Sequence, residues 1–287
     1  MRLTMGLPGE FRQDDSLTQD VKKEHNLGQQ AGKWVKALYP PEALADIKKL
    51  DNEARTYHDA ITLPFDKGIG ILPAALIMEH AERMRTFMGR REALVNARFM
   101  ADPQKWIDWA HTNHNGTFDP SLYPGCYKDE ATGTWMVDAD KFRKEMKAKF
   151  YFRTEPLPVP DSKHFETSVK DLLGLDSESV NIRIEDAAKE AQQELLRRML
   201  KPVAHMAATL KKEDPRIFDS LIGNVKEIAD IAPKQNLTDD PVINELAKEM
   251  AGLVQYTPDN LRKSAGTREA AAMKAQALMD RLSGYKL

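Results

Sequence analysis

Apolar residues recur at helical spacing along most of this chain. The longest run covers residues 178–210, where Ile184, Ala188, Ala191, Leu195, Met199, Val203, Met206 and Leu210 follow one another in steps of four and three. The other side of the run carries Arg183, Glu185, Lys189, Glu190, Glu194, Arg197, Arg198 and Lys201. Glu185–Lys189 and Glu194–Arg198 place the acid four residues ahead of the base, the favourable order on an exposed helix face. The pattern predicts one long amphipathic helix on which the other helices pack. Pro202 lies inside it and predicts a kink near Arg198, because a proline removes the N–H that would pair with that carbonyl.

Shorter runs extend the pattern in both directions. Residues 17–38 read as a helix weakened by Gly28 and Gly32, with Trp34, Val35 and Leu38 as its apolar end and Pro40-Pro41 as its stop. A second helix reaches residue 63 with Leu44, Ile47, Leu50, Ala54, Tyr57 and Ile61 on one face. A third starts at Pro73 with Ile77, Ala81, Met84, Met88, Val95 and Phe99. Towards the C-terminus, helices are predicted over 165–173 and over 216–231, the latter including Phe218. Another begins at Pro241 with Val242, Leu246, Met250 and Val254, and a last one at Pro258, with Ala-rich spacing suited to close packing. Residues 112–137 break the periodicity. Their aromatic residues and glycines predict a hairpin, 126–128 against 134–137, followed by a helix over 139–149 capped by Asp138.

The expected architecture is therefore mainly α: an elongated bundle of long antiparallel helices with a small irregular, β-hairpin insertion. Its parts are a flexible tail (1–16), an N-terminal helical part (17–111), an insertion with hairpin, basic helix and proline-rich connector (112–160), and a C-terminal helical part (161–287). The composition agrees: 41% hydrophobic, 30% charged and only 7% aromatic residues leave a thin core and much exposed surface. A net charge of −2 argues against a general affinity for nucleic acid and confines any such binding to a local basic patch. One cysteine, Cys126, allows no intrachain disulfide. With no membrane-length apolar run and no hydrophobic N-terminal segment, the expectation is a soluble cytoplasmic protein away from membranes.

Candidate chemistry is sparse. Gly68-Ile69-Gly70 lacks the Lys-Ser/Thr of a phosphate loop and reads as a connection between helices. No cofactor pattern and no catalytic motif is present. Arg83, Arg85, Arg90, Arg91 and Arg98 crowd the exposed side of the third helix, offset by Glu79, Glu82 and Glu92, which fits either a solvated face of ion pairs or contact with phosphates. Lys141, Arg143, Lys144, Lys147 and Lys149 lead into Phe150-Tyr151-Phe152-Arg153. Cations beside rings suit single-stranded nucleic acid, with Tyr151 to stack and Arg153 to hold phosphate, while the same run also suits a short buried strand. Asp108, His111, His114 and Cys126 form a possible metal set without any of the usual ligand spacings. The remaining histidines are scattered.

Three segments carry a family resemblance: Lys149-Phe150-Tyr151-Phe152-Arg153 with the prolines after it, Leu196-Arg197-Arg198-Met199-Leu200-Lys201-Pro202, and Arg216-Ile217-Phe218-Asp219-Ser220-Leu221-Ile222-Gly223-Asn224 with Asn236-Leu237-Thr238-Asp239-Asp240-Pro241. From residue 42 onwards the chain resembles a helical family of unknown function encoded by tailed phages and prophages. The resemblance implies phage origin and a life in the bacterial cytoplasm, and brings no catalytic residues. The leading expectation is a non-enzymatic helical interaction or assembly module with a protein partner or self-association. Nucleic-acid binding comes second, a metal-dependent enzyme third, and interference with a host defence, on the phage resemblance alone, fourth.

Overall fold

The computed structural model describes residues 1–157 and 177–285; the helix expected over 165–173 lies outside them. The described chain is mainly helical, with ten α-helices and four two-stranded sheets. It divides into two compact units, Met1–Arg2 with Tyr57–Ala81 and Glu155–Leu287, and Leu3–Thr56 with Glu82–Thr154.

The second unit opens with strands where a flexible tail is expected. β1 (Arg2–Met5) pairs with β8 (Phe152–Glu155), and β2 (Phe11–Gln13) pairs antiparallel with β3 (Val35–Ala37). The predicted 17–38 helix is correspondingly short. α1 (Asp15–Glu24) is capped by the Asp14 carboxylate, which accepts from Leu17 N. The chain then leaves the helix through Asn26 at φ 51° and Gly32 at φ 118°, left-handed conformations that end helical hydrogen bonding. The 126–128 hairpin forms in the expected place. β6 (Cys126–Lys128) pairs with β7 (Trp135–Val137), with Cys126 opposite Val137 and Lys128 opposite Trp135. Gly133 supplies the positive φ of its turn, and α5 (Ala139–Lys147) follows, capped by Asp138.

Helices α2 (Ala45–Ile61) and α3 (Ile77–Leu94) each contribute residues to both units. On α3 the apolar reading fails in an instructive way. Ile77 and Met88, assigned to the inner face, are 46% and 47% exposed. The buried stripe is Leu76, His80, Met84, Phe87, Arg91 and Val95, in steps of four and three. Two of its six members are polar, so a count of apolar residues slides onto a neighbouring stripe. Beyond Leu94 the helix continues as a π-helical segment, Val95–Met100, before α4 (Gln104–His114). The second unit's core is aromatic: Tyr39, Phe99, Trp106, Tyr123 and Phe142 are all buried, with Phe150 packed against them.

In the first unit the 62–70 segment is a hairpin, β4 (Leu63–Asp66) with β5 (Ile69–Ile71), rather than a plain loop. Gly68 makes the turn at φ 69°, and a Cβ at Gly70 would lie 2.6 Å from the Thr62 side chain, so both glycines serve packing rather than a phosphate. The organising helix, α6 (Ser177–Leu210), runs on through Pro202. Of its predicted apolar face, Ala191, Leu195, Met199, Val203, Met206 and Leu210 are buried, whereas the Ile184 side chain lies outside the described residues. Arg198 pairs with Glu194 at 3.2 Å as its spacing predicts, and also donates to the Ala60 and Thr62 carbonyls at 3.0 and 2.9 Å, satisfying the end of α2.

Around α6 lie α7 (Ser220–Gln235), α8 (Pro241–Leu253), α9 (Pro258–Lys263) and α10 (Ala265–Gly284). α10 packs on α6 with Ala271, Ala272 and Ala275 buried, the close approach that its small residues predict. Phe218 precedes α7 and is 68% exposed, a correction to its place on the apolar face. The α8 core face is Ile243, Leu246, Ala247, Met250 and Leu253, with Val242 and Val254 at its margin. Among the described residues no helix is long and apolar enough to cross a membrane.

Candidate nucleic-acid interface

The two basic segments singled out in the sequence meet in one groove of the second unit, with a volume of about 380 Å³. One wall comes from α3 and the π-helical segment: Met88, Arg91, Glu92, Val95, Asn96 and Met100. The other is Arg143 and Lys147 of α5, with the run Phe150-Tyr151-Phe152-Arg153 leading into β8. Four cations and one carboxylate line it, beside three aromatic rings.

The four cations do different work. Arg91 is buried, a correction to its predicted place on the exposed face. Its Nε and Nη2 donate to the Asp51 carboxylate at 2.6 and 3.1 Å, and Nη2 also reaches the Gly6 carbonyl at 2.7 Å. Arg143 donates to the Met100 and Ala101 carbonyls at 3.0 and 3.3 Å, satisfying the end of the π-helical segment, and pairs with Asp140. Lys147 and Arg153 are exposed and form no ion pair with a described residue. Among the described residues these are the groove cations without an ion pair.

Tyr151 is held in place from behind. Gly6 donates its N–H to the Tyr151 carbonyl at 2.9 Å, and a Cβ at Gly6 would fall 2.1 Å from a Tyr151 ring carbon, so only glycine lets the ring lie there. The Arg153 guanidinium sits 5.2 Å from the Tyr151 ring centroid, and Tyr151 is 41% exposed. Ring and guanidinium thus lie within cation–π distance of each other. Arg91 in turn lies 5.9 Å from the Phe150 ring. The buried Asp51–Arg91 pair therefore braces both Gly6 and Phe150 behind the groove.

The rest of the predicted arginine face is differently engaged. Arg90 pairs with Glu53 at 3.6 Å and Arg98 with Asp46 at 3.4 Å, both acids of α2. Arg83 lies 5.2 Å from the Phe87 ring. Lys141, Lys144 and Lys149 are exposed but do not line the groove. Asn96 was missed in the sequence, and Glu92 and Arg143 stood out there only as charges on their helix faces, not as site residues. A signal existed: Met88, Glu92, Asn96 and Met100 step by four along one stripe, as Arg143 and Lys147 do on α5. Which stripes face each other is not encoded in their spacing.

The predicted metal set is not assembled. Among the described residues no group of three or more His, Cys, Asp or Glu could hold a metal ion. Asp108 accepts from Gln104, His111 lies edge-on to Phe118, and His114 donates Nε2–H to the Ala37 carbonyl at 2.7 Å. Burial pushes the Cys126 thiol up to about 11, away from the thiolate a metal needs. No family model, curated protein or solved structure matches this chain.

Proposed function

We propose that this protein binds single-stranded nucleic acid through the groove between α3 and the α5–β8 segment. One observation carries the reading: two basic segments some 50 residues apart in sequence line one groove, which also presents the Tyr151–Arg153 cation–π contact and two cations without carboxylate partners among the described residues. A groove of this size suits one nucleotide unit at a time. Its wall includes a π-helical segment, a feature frequent at functional sites. The near-neutral net charge fits a patch-limited contact better than a general affinity for polyanions.

Fluorescence anisotropy of labelled single strands and duplexes across a salt series tests the reading. Single strands bind more tightly than duplexes, and the affinity falls with salt at a logarithmic slope of about −1.4, for two phosphates met by Lys147 and Arg153. The double variant Lys147→Gln/Arg153→Gln flattens that slope towards zero. Absence of binding to any strand at low salt would overturn the proposal.

A second reading, the helical interaction or assembly module, draws on a different place. Phe11 and Val35 lie on one face of the β2–β3 ribbon, 65% and 53% exposed, and Trp34 beside them is 51% exposed. Light scattering at rising concentration distinguishes the two: self-association lost in Phe11→Ser/Val35→Ser supports it. Phage origin, action in the bacterial cytoplasm and an elongated antiparallel bundle belong to this same proposal and rest on the sequence.

A further inference from the structure

The groove contains one feature that phosphate binding alone does not use. Glu92 is its only acid among the described residues, it is exposed, and it has no ion pair with a described residue although four cations share the site. A bare carboxylate there repels phosphate and helps only a ligand that brings hydrogen-bond donors. Asn96 stands one turn further along the same wall, with a carboxamide that can donate as well as accept.

Resting on the single-strand reading above, we propose that Glu92 and Asn96 make this groove selective for guanine. Among the four bases guanine is the one whose pairing edge places two donors side by side, the N1–H and the 2-amino group, next to the O6 acceptor. A carboxylate accepts from both donors, and an amide N–H at Asn96 donates to O6. Adenine and cytosine offer Glu92 a single amino group beside an acceptor that the carboxylate repels. Thymine offers one N–H between two carbonyls. Recognition of unpaired bases by such edges, with the ring stacked on an aromatic or guanidinium plane, is the usual mode for single strands. Tyr151 provides the plane, Lys147 and Arg153 take phosphates, and Glu92 with Asn96 reads the edge.

The test uses the full chain and short thymidine strands carrying one central guanine, one hypoxanthine, one adenine or no replacement. The guanine strand binds about tenfold more tightly than the all-thymidine strand, as expected for one paired edge. Hypoxanthine, which lacks the 2-amino group, loses most of that gain. Glu92→Gln abolishes the preference, bringing the guanine strand to the affinity of the all-thymidine strand. Equal affinity for all four strands, or an undiminished guanine preference in Glu92→Gln, would overturn the guanine site and leave single-strand binding standing. Loss of binding to every strand in the unsubstituted protein would overturn both.

Discussion

The two units solve the same packing problem with different side chains. The first unit's buried core is built from Leu, Ile, Val, Met and Ala on long helices, with no buried aromatic ring among its described members. Its helices satisfy their own backbone groups, so the core needs only apolar stripes that fit, and alanines bring α10 close to α6. The second unit has short strands, short helices and a π-helical segment, which leave carbonyls without regular partners. Large rings with polar tips fill it and pair those carbonyls. Tyr123 Oη donates to Leu38 and Trp106 Nε1 to Phe99, both at 2.9 Å, while Arg143 serves Met100. Irregular backbone calls for side chains that are both bulky and able to hydrogen-bond, and the groove has formed where such backbone is concentrated.

Each unit also buries one polar pair carried by α2 and α3, and breaking the second unit's pair gives the largest expected effect. Asp51→Ala strands the Arg91 guanidinium in the second unit and costs about 3–5 kcal/mol in urea unfolding. Glu53→Ala, which removes an exposed pair on the same helix, costs about 0–1 kcal/mol. Equal losses would show the Asp51–Arg91 pair to be solvated after all.

Next come the cores. Phe99→Ala leaves a ring-sized cavity among the second unit's aromatic side chains and costs about 3–5 kcal/mol. Ala275→Leu forces a larger side chain into the α6–α10 contact of the first unit and costs about 1–3 kcal/mol. Were the order reversed, the ascribed difference between a ring-filled and an alanine-spaced core would fail.

The smallest effect belongs to the first unit's polar pair. His58 Nδ1 and His80 Nε2 are 3.0 Å apart and buried, an arrangement in which one neutral ring donates to the other. Burial lowers both groups, His80 to about 4, with the N-terminal ammonium adding to the shift and Asp59 opposing it at His58. The unfolded chain therefore binds more protons between pH 6.5 and about 4, so stability falls as the pH drops through that window. Thermal melts over this range show the decline, and His58→Leu/His80→Leu flattens it. A wild-type profile already flat there would mean the rings are not neutral partners.

Legibility followed regularity. The spacing of Leu195, Met199, Val203 and Met206 identified α6, because one face of a regular helix repeats its burial every three to four residues. The 126–128 hairpin and the Asp138 cap were equally readable, since turn glycines and capping carboxylates act locally. The inner face of α3 was misread because His80 and Arg91 are buried by virtue of partners 22 and 40 residues away. The strands β1 and β2 went unseen because their pairing partners, β8 and β3, lie far along the chain, and a segment of three or four residues carries no local periodicity.

Half of the site was legible and half was not. Lys147, Tyr151 and Arg153 stood out as cations beside rings, and the α3 arginines as a cluster. Sequence alone determined the helical class, the long amphipathic helix, the turns and caps, and the residue types available for chemistry, since each depends on neighbours within a few positions. Only the tertiary structure decided that Asp46 and Glu53 pair with Arg98 and Arg90, that Asp51 pairs with the buried Arg91, and that Lys147 and Arg153 line one groove with Glu92 without an ion pair among the described residues. A charge's availability depends on what folds against it, and contacts across tens of residues leave no trace in spacing.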